Sequence, residues 1–192
     1  MALTLFGAHR TRASMPRWYM EEKGIPYTLK ELDLKSGDHR QQQFLQINPF
    51  GKVPALIDDQ FTDARGKPLK LFESGAILLH LAEQHTNDIK TPFDRALNYQ
   101  WVIFANSTLS MALFVPSNRE KAFPSLMEKL NNRLDVDRPL VGSLWSAADC
   151  AVHTYLAYLP TFFPDIDLSP YPVISELITR THQSSSYRKA TQ

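Results

Sequence analysis

Short alternations and longer helical periods follow one another along this chain. Leu3-Thr4-Leu5-Phe6 reads as a short buried strand, and the polar, basic stretch Ala8–Ser14 as a loop running into a helix. That helix carries Pro16 in its first turn, then Trp18, Tyr19, Glu21 and Glu22, and stops after Lys23 at Gly24. Tyr27–Leu34 alternates as a second strand, and His39–Ile47 reads as a short helix with Phe44, Leu45 and Ile47 on its apolar side. Val53–Ile57 and Leu69–Phe72 read as an antiparallel pair with a long tip, Asp58–Pro68, rich in turn formers. Glu73-Ser74 then opens a helix with Ile77, Leu78, Leu81 and Ala82 facing inward. The order is β-α-β-α-β-β-α over residues 1–85, a workable size for one small α/β domain.

Residues 86–92 read as a polar linker, with Asn87, Asp88 and Pro92. From 93 to 192 only helical periods are found. Phe93–Phe114 is one helical stretch, and Pro124 reads as the first turn of a second, running to about Asp135. Ser146-Ala147-Ala148-Asp149 has the form of a capping box and starts a third, through Leu159. Pro172–Gln183 reads as the fourth, and the polar tail Ser184–Gln192 is expected to fray.

Composition removes several classes of function. Lys plus Arg is 21 against 20 for Asp plus Glu, a net charge of +1, so no basic footprint for nucleic acid exists. No polybasic run marks a membrane surface, and apolar stretches such as Ile77–Ala82 are too short to span a bilayer. The single cysteine, Cys150, excludes an internal disulfide framework. The six histidines lack the paired helical spacing of a zinc site, so no metal is expected. MALTLFGAHR has no charged-then-apolar leader, and the expectation is a cytoplasmic protein in a reducing compartment.

Two pieces carry chemistry. Asn48-Pro49-Phe50-Gly51-Lys52-Val53-Pro54-Ala55-Leu56 puts a proline at the mouth of a strand, and Phe72-Glu73-Ser74-Gly75-Ala76-Ile77 puts an acid and a hydroxyl at a helix start. One strand apart, such sites suit a small zwitterionic peptide held by its main chain and its charged end. With Leu140-Val141-Gly142 before Ser146–Asp149, and Pro170-Tyr171-Pro172 before the last helix, they run in an order that resembles the cytosolic glutathione S-transferases over nearly the whole chain.

That resemblance implies an α/β plus all-α architecture: a thioredoxin-like βαβαββα domain that binds glutathione (1–85), the linker, and a helical bundle domain (93–192). It implies a cis Val53-Pro54 bond whose Val53 main chain pairs with the peptide. Glu73 is placed against the ligand's α-ammonium, and Ser74, with the helix start, against its α-carboxylate. Lys52 and His39 are placed at the glycyl carboxylate. The activity implied is attack of the glutathione thiolate on a small hydrophobic electrophile. A glutathione-dependent peroxidase or isomerase, or a non-catalytic binding module, are the alternatives.

The loop after the first strand departs from the common pattern. The usual tyrosine, serine or cysteine is replaced by His9-Arg10-Thr11-Arg12-Ala13-Ser14, which is similar to the bacterial chi-like class. Arg10 is then expected to stabilise the thiolate, with Thr11 or Ser14 donating to sulfur; the alternative is a solvated basic loop with Ser14 as an N-cap. The electrophile pocket is expected between the domains, walled by His9, Phe104, Thr108, Met111 and Tyr155. Phe50 is the expected interface key of a homodimer.

Overall fold

The computed structural model describes residues 3–192, so residues 1 and 2 of the expected first domain lie outside the described range. β1 (Leu3–Gly7) buries Leu3 and Leu5 and runs parallel to β2 (Thr28–Glu31). A parallel neighbour needs a crossover, and α1 (Ser14–Lys23) supplies it. Gly24 ends α1 in the left-handed region at φ 65°, and the N–H of Ile25 returns to the Met20 carbonyl at 2.9 Å. β3 (Ala55–Thr62) lies antiparallel to β1, and β4 (Pro68–Phe72) antiparallel to β3, giving the order β2-β1-β3-β4. α3 (Ser74–Gln84) follows β4 and packs beside α1, burying Ile77, Leu78, Leu81 and Ala82.

Two local expectations are revised. The segment expected as one helix over His39–Ile47 is a 3-10 turn, Asp38–Arg40, and a single turn α2 (Gln42–Leu45). Gln41 between them is extended (φ −70°, ψ 145°), which breaks the helical run. The hairpin tip is also shorter than expected. β3 continues to Thr62 past an irregularity between Asp58 and Thr62, and the turn is gathered on Asp63, whose Oδ1 accepts from the N–H groups of Arg65 (2.8 Å) and Lys67 (3.0 Å).

Among the described residues, Thr86–Ser185 forms the second compact unit and is all helical. α4 (Pro92–Phe104) starts in a reciprocal Thr91–Asp94 capping box and passes through a π-helical turn, Ala105–Leu109, into α5 (Ser110–Phe114). α6 spans Pro116–Arg133, so Pro124 sits inside the helix rather than at its start, where Pro116 stands. Pro124 has no N–H to give back to the preceding turn. Phe123, Met127 and Leu130, buried at helical spacing, hold the helix through that gap. α7 (Ala147–Ala157) opens on Ser146 and Asp149, followed by the short α8 (Leu159–Phe162) and by α9 (Pro172–Gln183). Asn131 Oδ1 receives the first N–H groups of α9, from Val173 (3.0 Å) and Ile174 (3.2 Å). No helix among the described residues is long and apolar enough to cross a membrane.

The tail does not fray. α10 (Ser185–Thr191) buries Tyr187 and Ala190, and residues Ser186–Gln192 belong to the compact unit that otherwise runs to His85, not to the helical unit. Tyr187 meets the Trp18 ring edge-on at 5.0 Å, Trp18 Nε1–H donates to Ser186 Oγ at 3.2 Å, and Lys189 pairs with Glu21 at 2.5 Å. Burial and the neighbouring Glu21 push the Tyr27 phenol up to about 12, so its hydroxyl donates to that carboxylate (2.5 Å) across the ordinary pH range. Tyr187→Ala is expected to destabilise this unit by about 3 kcal/mol, the usual cost of deleting a buried aromatic. Urea unfolding followed by tryptophan fluorescence measures it, and a loss under about 1 kcal/mol would mean that the tail is not docked in solution.

Candidate functional site

The strand register gathers three loops at one end of the sheet. Phe6 lies opposite Ala55, and Ala55 opposite Phe72. The loop after Gly7, the Val53-Pro54 pair and the Glu73-Ser74 pair therefore leave the sheet side by side.

Val53-Pro54 is a cis peptide bond, with Pro54 buried and Val53 half-buried. Val53 stands two residues ahead of Ala55, the first paired residue of β3. The approach to it is set by Asn48, which is almost fully buried. Its Nδ2 donates to the Lys52 carbonyl at 2.6 Å, and its Oδ1 accepts the Phe50 N–H at 3.1 Å. Gly51 completes the turn at φ 59°, and a Cβ there would stand 2.9 Å from the His39 carbonyl. Only glycine allows that approach, and it brings the 3-10 turn holding His39 against the loop holding Lys52. Lys52 is exposed. The His39 ring is half-buried, with Nε2 accepting from Arg40 Nε at 3.2 Å and a buried Nδ1 that has no hydrogen-bond partner.

Glu73 is the backbone outlier of the site, at φ 69° and ψ 118°, where L residues are rarely found. Its side chain is exposed, while Ser74 is 1% exposed. No side chain caps α3, an 11-residue helix, and its first acidic neighbour is Glu73 itself. A free carboxylate thus stands next to a helix end that attracts anions. The pair is complementary to an ammonium and a carboxylate carried on one carbon.

The loop after β1 turns back tightly: a Cβ on Gly7 would meet Ala13 Cβ at 2.8 Å. Arg10 is exposed and left-handed at φ 56°. Both hydroxyls of the loop are turned inward. Thr11 Oγ1 donates to the Ala8 carbonyl (2.7 Å) and accepts from the Ala13 N–H (3.3 Å), while Ser14 Oγ donates to the Thr11 carbonyl (3.1 Å). Ser14 lies in the first turn of α1 and does not cap it.

On the helical unit, Thr108 and Met111 line an open groove with Ala122, Leu126 and Lys129, and Met111 is 49% exposed. Phe104 is half-buried. Tyr155 is wholly buried, its hydroxyl donating to Asn106 Oδ1 at 3.2 Å, so it is a core residue rather than a pocket wall. Phe50 is 69% exposed, with one edge against Phe72 at 5.3 Å. Sequence reasoning missed Asn48 and Gly51 as the residues that shape the Val53 loop, although the turn formers Asn-Pro-x-Gly are themselves a turn signal.

Residues 1–83 match the family model described as "Glutathione S-transferase, N-terminal domain". The Disulfide-bond oxidoreductase YfcG of Escherichia coli is 32% identical, over 81% of this chain and 79% of its own length. Glutathione S-transferase F9 of Arabidopsis thaliana is 30% identical, over 96% of this chain and 90% of its own. A glutathione transferase family member from Pseudomonas fluorescens, crystallised with two glutathione bound, superposes with a TM-score of 0.79 at 21% identity, covering 99% of this chain and 92% of that one. At that identity the superposition is a likeness of fold.

Proposed function

The chain belongs to the glutathione S-transferase family, and from that premise we infer that it binds glutathione at the sheet end described above and directs its thiolate at a small hydrophobic electrophile. One observation carries the reading: the exposed Glu73 carboxylate, held at positive φ, stands beside the uncapped start of α3. The γ-glutamyl end of glutathione supplies the matching ammonium and carboxylate. Val53 offers its main chain to the cysteinyl residue as an added strand would. Lys52 supplies the cation for the glycyl carboxylate, with His39 beside it as a further polar contact.

For the thiol, Arg10 is the stabilising group, because the N–H groups of Ala13, Ser14, Met15 and Arg17 at the start of α1 already donate within the loop and first turn. Thr11 and Ser14 act by holding the loop, since their protons already go to carbonyls. A cation beside a thiol lowers it from its usual value near 8.5, and each unit represents about 1.4 kcal/mol. Cys150 is buried in α7, so the reacting sulfur in this reading is the ligand's.

The test is retention on immobilised glutathione with calorimetric titration, followed by conjugation assays with chlorodinitrobenzene and an isothiocyanate. Binding with turnover is the expected result, and Arg10→Ala should move the pH midpoint of conjugation up by about one unit. A midpoint unmoved in Arg10→Ala would remove that residue from the mechanism, and failure to bind glutathione would end the reading. Similarity to the Escherichia coli disulfide-bond oxidoreductase favours one further assay, glutathione-dependent reduction of a small disulfide. Binding without turnover in any of these would favour a carrier. Phe50 is proposed as the contact of a symmetric homodimer, a state that light scattering reads directly.

A further inference from the structure

At the other end of the sheet stands a cluster with a different chemistry. Asp58 lies opposite Leu3, three residues along β3 from Ala55, or about 10 Å. Its side chain is wholly buried, and two imidazoles converge on one oxygen of it. His80 Nε2 is 2.8 Å and His85 Nε2 2.6 Å from Asp58 Oδ2. The other oxygen is fixed by the Gln60 N–H at 3.0 Å, which aims Oδ2 at the two rings. His80 comes from α3, and His85 is the residue that ends it. The edge of Phe61 packs against both rings, with centroids 5.2 and 6.2 Å away. No lysine or arginine pairs with Asp58 among the described residues. A buried carboxylate needs a compensating charge, and neither histidine carries a permanent one.

We propose that Asp58, His80 and His85 bind one borderline divalent cation, with Zn²⁺ the best match to the donors. Two imidazole nitrogens and a carboxylate oxygen are a donor set that zinc accepts, with a fourth position left for water. One donor atom from each residue already lies within 4.8 Å of the others. In a tetrahedral zinc site with bonds of about 2.0–2.1 Å, donor atoms stand about 3.3 Å apart. The imidazole nitrogens, at 2.8 and 2.6 Å from Asp58 Oδ2, therefore need to move away from that oxygen by roughly 0.5–0.7 Å to admit an ion. Solvent reaches both histidine side chains, at 13% and 8% exposure, which gives the ion a way in. To coordinate, each neutral ring carries its hydrogen on Nδ1 and presents the Nε2 lone pair, and a protonated ring releases one proton to solvent. The ion would fasten the end of α3 to β3. Thiol addition at the far end of the sheet requires no metal, so this site is independent of the proposed activity.

Chelator-treated full-length protein, titrated with Co²⁺ and with Zn²⁺ against a chromophoric chelator, tests it. The expected result is one equivalent bound, visible d–d absorption of a four-coordinate cobalt site, and a rise in Tm with Zn²⁺. His80→Gln and His85→Gln should each weaken Zn²⁺ binding at least about 100-fold and abolish the Tm rise. Absence of the cobalt spectrum, or unchanged zinc affinity in both variants, would overturn the proposal. Should either variant fail to fold, X-ray absorption on the zinc-loaded native protein decides, because a first shell lacking two imidazoles rules the site out.

Discussion

Asp149→Ala is expected to destabilise the helical unit by about 4 kcal/mol, the largest effect of any single substitution considered for this chain. Asp149 is 1% exposed and satisfies three donors. Its Oδ1 accepts the Leu140 N–H at 2.8 Å, and Oδ2 accepts the N–H (3.0 Å) and Oγ (3.1 Å) of Ser146. One side chain thus closes the capping box of α7 and pins the incoming loop. Nearby, Asn98 Oδ1 takes the Ala148 N–H at 3.1 Å, so a second side chain of the same unit holds the start of α7. Alanine leaves two main-chain N–H groups buried without acceptors, at roughly 1–3 kcal/mol each, and removes a cap worth about 1 kcal/mol. Asp149→Asn keeps the size but turns an amide NH₂ toward donors, and should cost about half as much. Ser146→Ala removes only the hydroxyl and should cost about 1 kcal/mol. Denaturant unfolding followed by circular dichroism ranks the three. Equal losses for alanine and asparagine, both near that of Ser146→Ala, would show that the carboxylate is not what holds the loop.

How much of this was legible depends on how local each cause is. The capping box, the glycine stop of α1 and the Val53-Pro54 and Glu73-Ser74 pairs are set by neighbours within a few residues, so the chain announces them. Pro124 was misread because proline marks a helix start as readily as it interrupts one. The deciding fact is the buried stripe Phe123, Met127 and Leu130. The tail looked unpartnered because Tyr187 and Ala190 acquire meaning only beside Trp18, far earlier in the chain. Asp58 reads in the sequence only as the start of the hairpin tip for the same reason: its partners stand 22 and 27 residues on. At the candidate site, residue types were legible but hydroxyl directions were not. Thr11 and Ser14 suited a sulfur donor on paper, and the loop geometry spends their protons on carbonyls.

Glu73→Gly is expected to separate conformation from charge, and it bears most directly on the proposed site. Glu73 is held at φ 69° and ψ 118°, at a cost of order 1 kcal/mol that glycine does not incur. Glycine should therefore leave the fold as stable or raise its stability by up to about 1 kcal/mol. The same change removes the carboxylate that is proposed to meet the α-ammonium of glutathione. A charge-assisted hydrogen bond contributes about 1.5–3 kcal/mol, or roughly 10- to 100-fold in Kd. Glu73→Gln should lose a similar share of affinity with no gain in stability, since the strained backbone remains. Ser74→Ala should weaken binding about tenfold through the loss of one hydroxyl at a helix start that still attracts the carboxylate. Calorimetric titration of each variant with glutathione, and with an analogue lacking the α-amino group, closes the cycle. The analogue should bind native protein and Glu73→Gln alike, because the group that tells them apart is gone. If Glu73→Gly stabilises the fold yet binds glutathione within twofold of the native protein, the strained acid serves some purpose other than gripping the γ-glutamyl end.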